Sequence, residues 1–395
     1  MAEPGGHVVV APDKFKGSLT AAEVAQWVAA GLRRACPGLD VRERPVADGG
    51  DGTVDAAASA GFQRFTVSVS GPLGQPVQAA FAVRGDTAVI ELAEASGLRR
   101  LPGGRLDPYR ATSRGTGEMV RAALDLGCTT VVLGLGGSAC TDGGAGLVQA
   151  LGGRLLDAEG ADLPPGGAAL ARLHRLDLSG FDARVPGTEF VVASDVDNPL
   201  LGEHGAAAVY GPQKGAAAQD VPVLDRALAR WADVVGRALS KDLAARRGAG
   251  AAGGVGFAAL AFLGAELRSG IGFFLDLLEV RAALPGARLV VTGEGSLDDQ
   301  TLRGKAPAGV AAAAREHGVP VVAVAGRNRL SSEALAAAGI ASAYALLDIE
   351  PDPDRCMREP GPLLQRLAAR IAVDWLGVAP AVPPTRKSTR GLAGA

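Results

Sequence analysis

The sequence predicts an α/β protein, a Rossmann-like parallel-sheet domain with a second, smaller α+β domain inserted into it. Three observations carry this expectation. Apolar runs such as HVVVAP, TTVVLG, ARLVVTG and VPVVAVAG are hydrophobic at consecutive positions, as strands buried on both faces must be. Helix-like segments follow several of them, and strands alternating with helices imply parallel pairing with helices on both faces. Two stretches break that rhythm with short alternating runs and Pro/Gly-rich links, which marks them as a separate piece.

Taken in order, the chain opens on the strand HVVVAP, a loop DKFKGSLT and a helix from Ala21 to Arg34, with Thr20 and Glu23 spaced as a capping pair. Between Phe65 and Leu98, runs parted by PLG and RGD predict antiparallel hairpins. TTVVLG then leads into the glycine-rich loop GLGGSACTDGGAG. From Gly152 to about Lys214, short strands such as GGRLLD and EFVVASDV lie among loops. ARLVVTGEG precedes a helix around Pro307 to His317, and VPVVAVAGR precedes one from Ser331 to Ala338. The expected Rossmann-like domain therefore comprises residues 1–64, 113–151 and 225–375, the inserted domain 65–112 and 152–224, and a Pro-rich basic tail, 376–395, is expected to be disordered. A cleft between the two domains is the default binding site.

Composition removes several function classes. With 395 residues, 48% of them hydrophobic, the chain can bury an ample core without disulfide or metal staples. The near balance of 40 Lys+Arg against 42 Asp+Glu, with 4% aromatic residues, argues against a nucleic-acid partner. Four scattered cysteines and four histidines form no zinc pattern, and with no basic leader in MAEPGGHVVVAPD the expectation is a cytoplasmic protein with reduced thiols. The uncharged segment Gly248 to Ala265 approaches the ~18 residues of a membrane span. Its six glycines favour instead a buried Gly-rich loop running into a core helix, so no membrane partner is expected.

The chemistry sits in loops that combine glycine with carboxylates. Gly134-Leu135-Gly136-Gly137-Ser138-Ala139 fits the dinucleotide fingerprint, with Asp157 where the ribose-binding acid would be sought. Against that reading, helix-forming sequence resumes only near Ala145, and Asp142 would repel a bare pyrophosphate. A carboxylate that helps to hold Mg²⁺, directly or through water, belongs beside phosphates. Asp48 and Asp51 lie in ADGGDGT, Asp195 and Asp197 in SDVDNP, Lys214 in YGPQKG, and Glu294 and Asp298 in TGEGSLD, with Arg303 and Lys305 close behind. Each alone reads as an ordinary turn; several at strand ends point to ligand binding outside the carboxyl edge of a sheet. No GxxxxGK[ST], protein-kinase set or GxSxG elbow is present. The residues by themselves thus describe a two-domain enzyme handling an anionic, phosphorylated ligand with Mg²⁺.

Taken together and in order, APDKFKGSLTA, PVADGGDGT, IELAEASGL, TSRGTGE, GLGGSACTDGGAG, SDVDNPL, YGPQKGA, GAGAAGGVG, AFLGAELRSGI and TGEGSLDDQTLRGKAP resemble the bacterial glycerate kinase family, of the type that includes the glyoxylate-pathway enzyme, from His7 to about Val373. The resemblance implies transfer of the ATP γ-phosphoryl group to D-glycerate, most often giving 2-phosphoglycerate, with 3-phosphoglycerate open. Departures from the family pattern are Lys14 where many relatives have Ser, Asp51 in place of Glu, Cys140-Thr141 in place of Thr-Asn, and Ser296 in place of Arg. Phosphoryl transfer demands positioning and charge neutralisation. On that basis Gly134, Gly136, Gly137, Ser138, Gly143 and Gly144 are assigned to the ATP phosphates, and Asp142 to the metal. Asp195 and Asp197 are assigned as general base or Mg²⁺ ligand, since a carboxylate can play either part; Lys16 and Lys214 pair with glycerate's carboxylate or the migrating phosphoryl group. Asp48, Asp51, Glu294 and Asp298 complete the expected substrate site. The rival readings are an NAD-dependent oxidoreductase acting on a small hydroxy acid and a non-catalytic sensor of a small acid. The oligomeric state is not legible.

Overall fold

The computed structural model describes residues 6–378; the expected disordered tail lies almost entirely outside the described residues. Its strands are β1 (His7–Pro12), β2 (Val41–Glu43), β3 (Gln63–Ser70), β4 (Pro76–Arg84), β5 (Thr87–Glu91), β6 (Thr130–Gly134), β7 (Arg154–Leu156), β8 (Arg175–Asp177), β9 (Glu189–Ala193), β10 (Glu266–Arg268), β11 (Ala287–Leu297), β12 (Val321–Asn328) and β13 (Ser342–Ala345). They form a five-stranded sheet ordered β13-β12-β11-β1-β2, a six-stranded sheet ordered β10-β9-β6-β5-β4-β3, and the small pair β7-β8.

The five-stranded sheet is parallel throughout, as the continuous apolar runs require. Successive side chains of a strand point to opposite faces, so each strand feeds two buried layers. Val8 and Val10 face the helices Ala21–Ala35 and Pro360–Leu376. Val9 and Ala11 face a central layer that also takes Ala80, Ala82, Val89, Val132 and Val191 from the six-stranded sheet, with the helices Thr53–Ser59, Gly270–Leu277 and Ala306–Glu316 between. The far face of the second sheet, with Phe81, Ile90, Val131, Leu133 and Val192, packs on the helices Arg114–Asp125, Ala145–Ala150 and Ala251–Phe262. The protein is thus a stack of helix, sheet, helix, sheet, helix with one core layer common to both sheets.

The hairpins expected between Phe65 and Leu98 are present, with β3 antiparallel to β4 and β4 to β5. The placement of 130–134 differs from the sequence expectation. β6 pairs in parallel with β5 and β9, so residues 113–151 belong with the hairpins and not with β1, and β10 joins the same sheet. A strand buried on both faces carries no mark of which neighbours it takes, and the apolar run TVVLG satisfies either sheet. The capping box at Thr20 and Glu23 is formed, with the Glu23 N–H donating to Thr20 Oγ1 at 3.2 Å and the Thr20 N–H to Glu23 Oε2 at 2.8 Å. Gly248 to Ala265 is a buried irregular turn, left-handed at Ala252, Gly253 and Gly254, that runs into a core helix. Among the described residues no helix is long and apolar enough to cross a membrane.

Candidate active site

One cavity of about 910 Å³ opens where the carboxyl ends of β1, β11, β12 and β13 in the first sheet face those of β6 and β9 in the second. Its floor begins one residue after β1. Asp13 is 6% exposed and accepts from the Lys14 N–H at 2.7 Å and from Lys14 Nζ at 3.3 Å. Burial pushes the Asp13 carboxyl up to about 6 despite the lysine's opposing pull, and the charge of Asp48 adds to the rise. Burial works against the Lys14 ammonium, but Asp13, Asp48 and Asp51 outweigh it and hold its pKa above the ordinary lysine value. The chain then turns tightly, Phe15 and Leu19 exchanging backbone hydrogen bonds with Gly17 left-handed between them, and this turn presents Lys16 to the cavity.

The loop after β2 supplies Asp48, Gly50 and Asp51 to the same cavity. Asp48 Oδ1 accepts from the Gly50 N–H at 3.0 Å. Asp51 stands 3.7 Å from Arg99, which also pairs with Glu91 at 2.8 Å. Glu91 is buried and accepts from the N–H groups of Gly52 and Val54, so it ties this loop to the end of β5. Burial lifts the Glu91 carboxyl to about 7, against the pull of Arg99. The glycines here serve backbone contact. Gly136 donates its N–H to Gly49 O at 3.1 Å, a side chain on Gly134 would meet Gly49 O at 2.5 Å, and one on Gly136 would meet Gly50 Cα at 2.4 Å.

Across the cavity, β11 presents Glu294, Ser296 and then Asp298. Glu294 accepts from the Thr301 hydroxyl at 2.5 Å and has Lys305 at 3.7 Å; burial raises its pKa. Ser296 pairs in register with Arg327 of β12, and Arg327 Nε donates to Ser296 Oγ at 2.9 Å. A guanidinium therefore stands beside Ser296, the position where the resemblance led one to expect an arginine. Asp195, at the end of β9, lines the cavity and accepts from Ser269 Oγ at 2.8 Å and the Gly270 N–H at 3.0 Å, which closes the start of the helix Gly270–Leu277.

Of the expected site residues, Lys16, Asp48, Asp51, Gly136, Gly137, Asp195, Glu294 and Asp298 come together around this cavity. The others do not line it. Asp142 is fully buried, and its two oxygens accept from Thr112 Oγ1, the Ser113 N–H and Oγ, and the N–H groups of Gly144 and Gly146. That carboxylate is saturated by its own fold, which corrects its assignment to a metal. Gly143 and Gly144 are left-handed and pressed against Trp231 and Ala258, so they serve packing, not phosphates. Gly134 is spent on the contact with Gly49, and Ser138 bridges to Gly97. Lys214 is 1% exposed and donates to Cys140 O at 2.6 Å, with burial lowering its pKa. Asp197 is exposed and pairs with Arg247 at 3.2 Å. The dinucleotide fingerprint fails on the same geometry. The backbone after Gly137 joins a β-bridge and reaches a helix only at Ala145, and Asp157 binds its own turn through Glu159 and Ala161.

Sequence reasoning passed over Asp13 and Arg327. Asp13 had a signal, a carboxylate directly after a fully buried strand. Arg327 had none until the register of β11 and β12 set it beside Ser296. Among the described residues no three His, Cys, Asp or Glu side chains converge to hold a metal ion by themselves. An ion bound here would share its coordination with ligand oxygens, the usual habit of Mg²⁺ beside a polyphosphate.

The model of the glycerate kinase family matches residues 8–376. A glycerate kinase of Bacillus subtilis (strain 168) is 45% identical over 368 residues, covering 92% of this chain and 96% of the relative. A glycerate 2-kinase of Escherichia coli (strain K12) is 47% identical over 323 residues, 81% of this chain and 84% of the relative. A crystal structure from Salmonella typhimurium LT2, provisionally named glycerate kinase 2, superposes with a TM-score of 0.81 at 43% identity, covering 94% of this chain and 99% of that one. With the cavity at the strand ends and these matches spanning nearly its whole length, the chain belongs to the glycerate kinase family and is a phosphotransferase.

Proposed function

We propose that the protein transfers the γ-phosphoryl group of ATP, with Mg²⁺, to a hydroxyl of D-glycerate, giving 2-phosphoglycerate, and that it does so in the cytoplasm. The observation that carries this reading is the convergence of strand carboxyl ends from two sheets on one cavity whose walls hold both carboxylates and cations. Ligands bind outside the carboxyl edge of parallel sheets, and about 910 Å³ is at the upper end of the small-molecule range, room for a nucleotide and a three-carbon acid together.

Lys14, Lys16, Lys305 and Arg327 offset the charge of the polyphosphate and of the glycerate carboxylate. Asp13 accepts the proton of the attacking hydroxyl. With its pKa raised to about 6 it is ionised at neutral pH yet more basic than an ordinary aspartate, a good compromise for a general base. Asp195 and Asp48 remain at the rim, where they orient the acceptor. Glu294 and Asp298 would hold Mg²⁺ together with phosphate oxygens. The ion supplies charge neutralisation on the transferred group and on the leaving oxygen. The four cysteines are free thiols, in keeping with a reducing compartment.

The test is to incubate purified protein with D-glycerate and Mg-ATP and follow the phosphorus products by ³¹P NMR. A 2-phosphoglycerate resonance is expected. Exclusive 3-phosphoglycerate would correct the regiochemistry, and neither product under conditions where Mg-ATP binds would overturn D-glycerate as the acceptor.

A further inference from the structure

We propose that the nucleotide lies along the carboxyl edge of the five-stranded sheet, with its purine base on the β13 side against Met357, Leu347 and Pro353. This rests on the kinase reading above and goes beyond it by fixing which end of the cavity takes which part of the two substrates. The strand order β13-β12-β11-β1-β2 sets the lining residues out in sequence. Leu346 and Leu347 follow β13; Arg327 ends β12; Glu294, Ser296 and Asp298 belong to or follow β11, with Lys305 behind; Asp13 and Lys14 follow β1; Asp48 and Asp51 follow β2. Across the cavity the lining therefore passes from apolar, through a stretch where cations and carboxylates alternate, to the two aspartates after β2. Four inter-strand steps of about 4.8 Å span roughly 19 Å, the reach of an extended nucleoside triphosphate followed by a small acid.

The apolar end is built as a surface for a flat ring. Its floor is buried side chains, Phe15, Leu346 and Cys356, that belong to the core under the first sheet. On that floor Met357 remains 50% exposed, one of the few large apolar side chains left in solvent. It sits on the short helix Pro353–Arg358, which is held by the ion pair of Arg355 with Glu350 at 2.7 Å and the contact of Cys356 Sγ with Glu350 O at 3.3 Å. A side chain on Gly17 would lie 3.4 Å from Met357 Cε, so the methionine leans on the turn that carries Lys16. An exposed, polarisable thioether beside a lysine matches an aromatic base attached to a polyphosphate. At the other end Asp48 and Asp51 face Leu135 and the Gly136–Gly137 backbone of the second sheet, with Lys14 beside them to meet a small carboxylate, which leaves that end to the acceptor.

Met357→Ser tests this, with Met357→Leu as its conservative companion, since an exposed position tolerates both without loss of the fold. Calorimetric titrations would use Mg-ADP and, separately, inorganic tripolyphosphate; steady-state kinetics would give KM for ATP and for D-glycerate. The serine variant should bind Mg-ADP about five- to tenfold more weakly, with a matching rise in KM for ATP. Tripolyphosphate affinity and the KM for D-glycerate should stay within twofold, and leucine should restore the ADP affinity. Unchanged ADP binding in the serine variant, or a rise in the glycerate KM alone, would overturn the placement while leaving the kinase reading intact. A wild-type protein that binds neither ADP nor ATP would remove the kinase reading and this inference with it.

Discussion

Two aspartates, Asp13 and Asp142, each sit in a loop after a buried strand and do opposite work. Asp142 meets five donors inside the fold, so it is a structural anchor between the loop at Thr112 and Ser113 and the start of the helix Ala145–Ala150. Among the described residues the Asp13 carboxylate accepts only from its own neighbour, Lys14, and it opens on the cavity. Asp142→Asn would set an amide among donors that need a carboxylate, at a cost of about 3 kcal/mol. We expect a clear fall in melting temperature and an unaltered Mg²⁺ dependence of whatever activity remains; a shifted metal titration with normal stability would contradict this. The sequence shows that both residues are carboxylates near glycines. It does not show how many donors the folded chain will aim at each, because the donors from Thr112 and Ser113 that saturate Asp142 lie some thirty positions away in the chain. Lys214 was misread for the same reason: a lysine in a tight turn is ordinarily solvated, and only the packing of the turn against Cys140 buries it.

At the scale of elements, the interlocked glycine loops set the geometry of the cleft. The Asp48–Gly52 loop of one sheet and the Gly134–Gly137 loop of the other touch backbone to backbone, closer than any β-carbon allows. Gly136→Ala would place a methyl 2.4 Å from Gly50 Cα and force the loop carrying Asp48 and Asp51 to move. Displacing binding residues by an ångström can cost on the order of a hundredfold in rate, so we expect kcat to fall at least tenfold with the secondary structure intact by circular dichroism. Kinetics equal to the wild type would show that the contact does not position the site. The strands and helices themselves were largely legible, since β1, β11 and β12 coincide with apolar runs and the helix Ala21–Ala35 begins at its predicted cap. Sheet membership was not legible. β6 is buried on both faces, and its register against β5, with Glu91 opposite Gly134, is a long-range fact that local periodicity does not encode.

For the whole molecule, the layered stack points the carboxyl edges of two sheets at one cavity, and everything proposed about activity follows from that arrangement. The shared central core fixes the two sheets relative to one another at the level of Val9, Val89, Val132 and Val290, while the cavity lies beyond the strand ends, clear of that packing. Asp13 stands at the floor of the cleft with its carboxyl raised to about 6 by burial. The measurement that tests the account most directly is kcat at saturating D-glycerate and Mg-ATP from pH 5 to pH 8, for the wild type and for Asp13→Asn, with Mg-ADP binding and the melting temperature recorded alongside. A general base must be ionised, so wild-type kcat should climb as the pH passes through about 6 and then level off. The variant should lose about a hundredfold or more in kcat at every pH while still folding and binding Mg-ADP. A folded Asp13→Asn protein that turns over within a few-fold of the wild type, with the same pH profile, would contradict the assignment of the chemistry to the ends of these strands.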